Sequence, residues 1–388
     1  MRRALRRRGL RASLTLVAAV ATATLTAASA AAHAAPIHPS SAAASACAKV
    51  KGPTRAGRFA GIIQAQRIQS GCQVHNTSDA ANGTPPLIWH GGPVMGTPTT
   101  GPVIVTPIFW NPPGHAMTSD YKNIITTYLA DVAAASGQHT NVYSTLNEYF
   151  GSNGPISYKI QLGKPINDTN PLPASSCNLQ PKDTSGIYAD NTGYNACTDD
   201  AQVVGDIRNV VKANKLPVDY GHIYMLYQAK GVESCFFAGS TSSGRRNACT
   251  INHEKSAAYC AYHTQAAGGL VYANMPYAIY ASPVGFTCGS DARFPVVQTP
   301  NGNADADTEI SPTSHELMEA ITDPDTATGW FDSSGFENGD ECAYVFGTTQ
   351  GKAPQLYNQV INGHHYLTQE EFSNIDFLKT QGGCLQSE

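Results

Sequence analysis

Ser314-His315-Glu316-Leu317-Met318-Glu319-Ala320-Ile321-Thr322-Asp323-Pro324 reads as a helix that presents a histidine and two carboxylates, then stops at a proline. His315 and Glu319 are spaced i and i+4, so on a helix they share one face, one turn above the other. Glu316 lies next to that face. The layout is that of the motif H-E-x-x-H, in which ligands at i and i+4 grip zinc and the glutamate acts as general base. Here the second ligand position carries Glu319. A carboxylate oxygen binds zinc but also suits harder cations, so the helix by itself leaves the metal open.

The flanks of the chain say where such a helix would work. Residues 1–34 combine a basic start (Arg2 to Arg11), an apolar run from Leu14 to Leu25 and the small-x-small sequence Ala32-His33-Ala34. That is the pattern of a secretory signal peptide, with an apolar run too short to span a bilayer. The expected product is a protein released outside the cell. Without this segment the chain keeps 19 basic and 29 acidic residues, since the segment removes six of the 25 Lys and Arg. A net charge of −10, as the difference of those counts, argues against nucleic acid or an anionic membrane surface as partner. Ten cysteines in an exported chain, with no Cys-x-x-Cys pair, point to disulfides rather than thiol chemistry. Proximity suggests the pairs 47–72, 177–197, 235–249, 260–288 and 342–384.

Residues 35–85 are rich in Ala, Ser, Gly, Asn and Thr and read as an N-terminal extension or pro-segment. Beyond them, strands are expected at Pro102–Trp110, Ile156–Leu162, His222–Tyr227, Tyr259–His263 and Tyr277–Ala281. Pro107 counts against a central place for the first. Helices are expected from Tyr121 to Val132, where Thr118-Ser119-Asp120 supplies a start signal, and from Asp199 to Lys215, with a shorter one at Tyr143–Phe150. Asn362-Gly363 between two β-prone runs predicts a hairpin. This order of elements implies a single α+β domain over 86–388, with a mixed sheet, a zincin-like active-site helix and disulfide staples.

A metal held by His315 and Glu319 needs further ligands from elsewhere. Asp323 and Asp325 flank Pro324, and Asp325 falls at the offset where metzincin-type zincins place their third ligand. Glu337-Asn338-Gly339-Asp340-Glu341-Cys342 is an acidic turn that a Cys342–Cys384 disulfide would hold near the domain. His263 lies in a strand that could pass beneath the helix. Asp323 also has an ordinary role available, as a turn residue before proline. Upstream, Asn301-Gly302-Asn303-Ala304-Asp305-Ala306-Asp307-Thr308-Glu309 alternates oxygen-bearing side chains like a calcium loop. It departs from an EF-hand at Ala306 and Pro312, and helix capping by Asp307, Thr308 or Ser311 explains most of it. No Gly-x-Ser-x-Gly elbow supports a serine hydrolase. A glycosidase pair of Glu316 with Glu337 or Asp340 is a further option, with Trp89, Trp110, Trp330 and many tyrosines as sugar-facing rings.

His90-Gly91-Gly92-Pro93-Val94, the strand to Trp110, Cys260-Ala261-Tyr262-His263, Pro300-Asn301-Gly302, His315-Glu316-Leu317-x-Glu319, Pro324, Trp330, Glu337-x-x-Asp340-x-Cys342 and Tyr357-Asn358 follow one another along the chain. In these segments and their order the chain resembles the EXORDIUM, or phosphate-induced protein 1, family of plants and its bacterial relatives. The resemblance runs patchily from about Leu87 to Cys384. It implies an extracellular protein and brings no settled biochemical activity. It favours Glu337 or Asp340 over Asp325 as further ligands, with His263 as another match. Insertions around 165–200 and 233–258 depart from the family.

The expectation is a secreted metal-dependent hydrolase acting on peptides. Glu316 is its catalytic base, His315, Glu319, Glu337 and Asp340 its candidate metal ligands, and zinc, or less readily calcium, its ion. Its partner would be an extracellular peptide or protein substrate. The alternative is a non-enzymatic binding protein for cell-wall glycan, in which the same cluster is structural.

Overall fold

Val103-Ile104-Val105-Thr106-Pro107-Ile108-Phe109-Trp110 is the longest strand of a seven-stranded mixed sheet. The computed structural model describes residues 62–63, 66–67, 86–174, 196–236, 250, 259–278, 286–289, 294, 296–333 and 335–388. In chain order the strands of the sheet are β1 (Ile62–Ile63), β2 (Val103–Trp110), β3 (Ile160–Leu162), β4 (Ile166–Asp168), β5 (His222–Tyr227), β6 (Ala261–Ala266) and β7 (Leu270–Met275). Their spatial order is β1-β6-β7-β5-β2-β3, with β4 continuing beside β2. β5 runs parallel to β7 and β2, and β2 parallel to β3 and β4. β6 is antiparallel to β7 and β1.

Pro107 sits in the middle of this sheet, against expectation. The odd-numbered residues of β2 turn their backbone groups toward β3: the Val103 N–H donates to Lys159 O and Val105 O accepts from the Gly163 N–H. The even-numbered Ile104 donates to Gly221 O on the β5 side. Pro107 therefore aims its missing N–H at the β3/β4 side. There β3 pairs with residues 103–105 and β4 with residues 108–110, leaving position 107 in the gap between the two short strands. No ladder bond is lost.

Strand parity divides the core. Val103, Val105, Phe109, Ile223, Met225, Tyr227, Val271, Ala273 and Met275 join one apolar cluster. Ile108, Trp110, Tyr224, Leu226, Leu270 and Tyr272 join the other. Helix α1 (Ser119–Ala134) and helix α3 (Ala304–Thr322) contribute to the first cluster, and α2 (Asp200–Ala213) covers the opposite face. The start signals work as expected: Thr118 Oγ1 accepts from the Tyr121 N–H, and Asp199 and Gln202 form a capping box. Val142–Glu148 is a 3-10 helix, and of Ile156–Leu162 only β3 is extended strand. β7 was not anticipated, and the expected strand at Tyr277–Ala281 is absent at Tyr277 and Ala278, while 279–281 lie outside the described residues. β1 shows that part of the 35–85 extension adds an edge strand; residues 1–34 lie outside the described residues.

Helix α3 begins earlier than its sequence suggests. Asn303 caps it, accepting from the Ala306 N–H, and Pro312 lies inside it. The calcium-loop reading of 301–309 gives way to helix-start chemistry. Asp305 accepts from the Tyr277 hydroxyl, while Asp307 accepts from the backbone and side-chain amides of Asn301 and from the Asn303 N–H. Thr308 and Ser311 lie inside the helix and do not cap it. Every residue from Ala306 to Thr322 is buried.

After α3 the chain is pinned on both sides. Trp330–Phe331 pairs with Ile88–Trp89, and beside it the Gly329 N–H donates to Gly91 O while Gly329 O accepts from the His90 N–H. Gly92 has φ +83°, and a Cβ there would run into the Thr328 side chain, which requires glycine in the His90-Gly91-Gly92 turn. Next come α4 (Asn338–Glu341), the hairpin Gln359–Ile361/His364–Tyr366 and α5 (Asn374–Thr380). The hairpin turn is Asn362-Gly363, both with positive φ, as the dipeptide predicts. Disulfides join Cys260 to Cys288 and Cys342 to Cys384. Cys197 and Cys235 are each disulfide-bonded, though not to one another, their sulfurs standing 3.7 Å apart; Cys47, Cys72, Cys177 and Cys249 lie outside the described residues. No helix among the described residues is long and apolar enough to cross a membrane.

A candidate metal centre beneath helix α3

Three elements converge on one buried point. Helix α3 brings His315, Glu316 and Glu319. Strand β6 brings His263: Tyr262 joins the core on the α2 side, so its neighbours Ala261 and His263 point toward α3. Helix α4, tied at its end by Cys342–Cys384, brings Asp340, with Glu337 at its N-terminus. Gly339 permits the approach of α4, because a Cβ there would stand 2.8 Å from His315 Nδ1 and 2.9 Å from Glu319 Oε1.

Two groups of ligand atoms result, each with its atoms within 4.8 Å of one another: His315, Glu319 and Asp340, and His263, Glu316 and Glu319. In the first, His315 Nε2 lies 2.9 Å from Glu319 Oε1 and 3.7 Å from Asp340 Oδ1. Neither ring nitrogen of His315 makes an aligned hydrogen bond, although the side chain is fully buried. Asp340 is held from behind: Oδ2 accepts from the Glu337 N–H at 3.4 Å, which leaves Oδ1 toward His315. The Asp340 N–H itself donates to Glu319 Oε1 at 2.9 Å. In the second group, His263 Nδ1 lies 3.2 Å from Glu316 Oε2 and 3.7 Å from Glu319 Oε2. Its Nε2 lies 2.9 Å from the backbone oxygen of Asp323, which can only accept, so Nε2 carries a proton.

Asp323, Glu337 and Glu371 complete the cluster. None of these six carboxyl groups and two imidazoles is more than 5% exposed. Even with both imidazoles protonated, the carboxylates would outnumber them by four. Among the described residues, only histidines form ion pairs with them. Burying so much like charge is prohibitive unless protons or a cation neutralise it. The protonation equilibria respond accordingly. Burial pushes the Glu316 carboxyl up, against a hydrogen bond to His263. Burial and then the Glu319 charge push Glu337 and Asp340 well up, and burial does the same to Asp323 and Glu371. Burial alone would lower His315, but Glu319 and the carboxylates around it raise it well above its ordinary value.

Of the residues named from sequence, His315, Glu316, Glu319, Asp340 and His263 meet here. Glu337 stands one layer away, Oε1 at 3.6 Å from His263 Nε2, outside both ligand groups. Asp325 instead shapes the turn after α3, where its Oδ1 accepts from the Ala327 N–H and its backbone oxygen from the Thr328 N–H. Glu316, Glu337 and Asp340 are all buried, with Asp340 the most exposed at 5%. Glu371 was not anticipated; it lies in a two-residue strand paired with Leu385, in a stretch without recognisable spacing. Comparison with family models, with curated proteins and with solved structures finds no match.

Proposed function

We propose that the chain is a secreted metal-dependent hydrolase of extracellular peptides, with its cation held by His315, Glu319 and Asp340. The observation that carries the reading is the buried imidazole of His315, with no aligned hydrogen bond, beside two carboxylate oxygens from separate elements. Such a donor set, one nitrogen and two oxygens, suits zinc and other divalent transition ions. A bound ion there would polarise a scissile carbonyl and acidify its water. Glu316, raised by burial and steadied by His263, is placed to take a proton. The resemblance to the EXORDIUM family supports the extracellular setting and adds no activity.

Complete burial favours a second reading, since structural sites are closed by protein ligands whereas catalytic ones keep a position open. On it, the ion is structural and the protein a non-enzymatic, wall- or glycan-associated one. Elemental analysis of the mature secreted protein beside His315→Ala, followed by a peptide-hydrolysis assay of Glu316→Gln, separates the two. Zinc lost in the first variant and hydrolysis abolished in the second, with the fold retained, supports the enzyme. Metal without hydrolysis in the wild type leaves the structural reading. No metal in any preparation refutes the hydrolase and leaves the non-enzymatic protein, its cluster a hydrogen-bonded polar network.

A further inference from the structure

The two ligand groups share one residue, and they share it in a particular way. Glu319 turns Oε1 to His315 and Oε2 to His263, so each oxygen of one carboxylate faces a different imidazole. The geometry points to a two-cation centre in which Glu319 bridges a first divalent ion on His315 and Asp340 and a second on His263 and Glu316. This rests on the proposed first site for the identity of Glu319 as ligand, but not on hydrolysis.

The argument for the second ion starts from His263. Its Nε2–H is committed to the Asp323 carbonyl at 2.9 Å. Nδ1 is then the ring atom turned inward, and it faces two carboxylate oxygens at 3.2 and 3.7 Å. One imidazole nitrogen and two carboxylate oxygens converge on one buried point, an arrangement held together by a positive charge among them, and a divalent ion supplies that charge to all three atoms at once. A histidine that gives its distal N–H to a backbone carbonyl and turns the other nitrogen inward has the orientation of a metal-bound imidazole. Glu319 Oε2 is buried and makes no hydrogen bond, so its capacity as an acceptor is unspent. Charge balance points the same way. Metal-bound imidazoles are neutral, so six buried carboxylates face two positive charges from one divalent ion and four from a pair. Paired ions in hydrolases stand about 3.5–4 Å apart, a spacing that a bridging carboxylate spans. With the second ion bound, Glu316 serves as a ligand, and each ion takes one imidazole and two carboxylates.

The test is a manganese titration of the full-length secreted protein after dialysis against a chelator, followed by electron paramagnetic resonance. Two equivalents should bind to the wild type, and the second should replace the signal of an isolated ion with that of an exchange-coupled pair. His263→Gln and Glu316→Gln should each hold one uncoupled equivalent, the two variants guarding against a folding defect in either. One equivalent in the wild type, two that stay uncoupled, or two retained in both variants would overturn the bridge and leave the first site standing. No binding at all would overturn both sites.

Discussion

Gly339→Ala tests whether the contact of α4 with α3 is set by ligand packing. The glycine has no positive φ to excuse it, so alanine meets no backbone penalty, and in a helix alanine is favoured over glycine by about 1 kcal/mol. Against this, the new methyl would lie 2.8 Å from His315 Nδ1, 2.9 Å from Glu319 Oε1 and 3.0 Å from His315 Cε1. Ordinary contact begins at 3.4 Å, so both side chains must recede by about half an ångström. Overpacking of that kind costs about 1–3 kcal/mol. The clash exceeds the helical gain, and it falls on two of the candidate metal ligands. The expected outcome is a net loss of about 1 kcal/mol in stability and at least a roughly tenfold loss in divalent-ion affinity, the equivalent of about 1.4 kcal/mol. Gly205→Ala in α2 is the matched control: nothing lies within 4 Å of its Cβ position. That variant should gain about 0.5–1 kcal/mol and leave the ion untouched. Thermal denaturation with and without chelator, and metal content after dialysis, read both effects. A Gly339→Ala protein that melts no lower than wild type and keeps its metal would refute the reasoning.

Three further outcomes concern stability. Burial raises Glu309 to about 8, against hydrogen bonds from the Ala278 N–H and the Tyr121 hydroxyl. Its raised folded value means that its contribution is full below pH 4.5 and is lost as pH climbs toward 8. Glu309→Gln should therefore flatten the stability profile over that window and raise the melting temperature at pH 8; an unchanged slope by calorimetry would reject the assignment. On the opposite face of the sheet, burial and then Asp168 raise Asp206 to about 7. Asp206→Asn should remove a loss of stability between pH 4 and 7, readable by urea denaturation at the two limits, and a steeper loss would contradict the sign. Replacing Cys342 and Cys384 by serine opens a 42-residue loop, for which chain entropy predicts a loss of about 4 kcal/mol. Chemical denaturation should show it, together with weaker metal retention, because the disulfide anchors Cys342, the residue that caps the end of α4. Unaltered metal content at full occupancy would detach the staple from the site.

Much of the centre is legible in the chain because its spacing is local. His315, Glu316 and Glu319 are fixed by helical periodicity, and Asp340 by the acidic turn beside a cysteine. His263 is readable only once its strand is known to lie under α3, and its tautomer depends on the Asp323 carbonyl, which no spacing reveals. The early start of α3 is obscured by Pro312 and by the polar run Asn301–Glu309, where alternating oxygens suggest a loop. A buried helix also lacks the apolar stripe that periodicity seeks. β7 is hidden for a different reason. Buried on both faces, it shows no alternation, and its parallel partner β5 is remote in sequence. Pro107 argues against a central strand by a sound rule that the break between β3 and β4 circumvents.

The burial of α3 from Ala306 to Thr322 bears on how an ion would come and go. Ligands without solvent contact exchange their ion only when the surrounding structure opens, so release is timed by unfolding rather than by the strength of individual bonds. Amide hydrogen exchange along α3 should then slow with the ion bound, and chelators should act over the hours of structural opening instead of seconds. Loading would then accompany folding itself, so the medium in which the chain folds would determine which cation is sealed in.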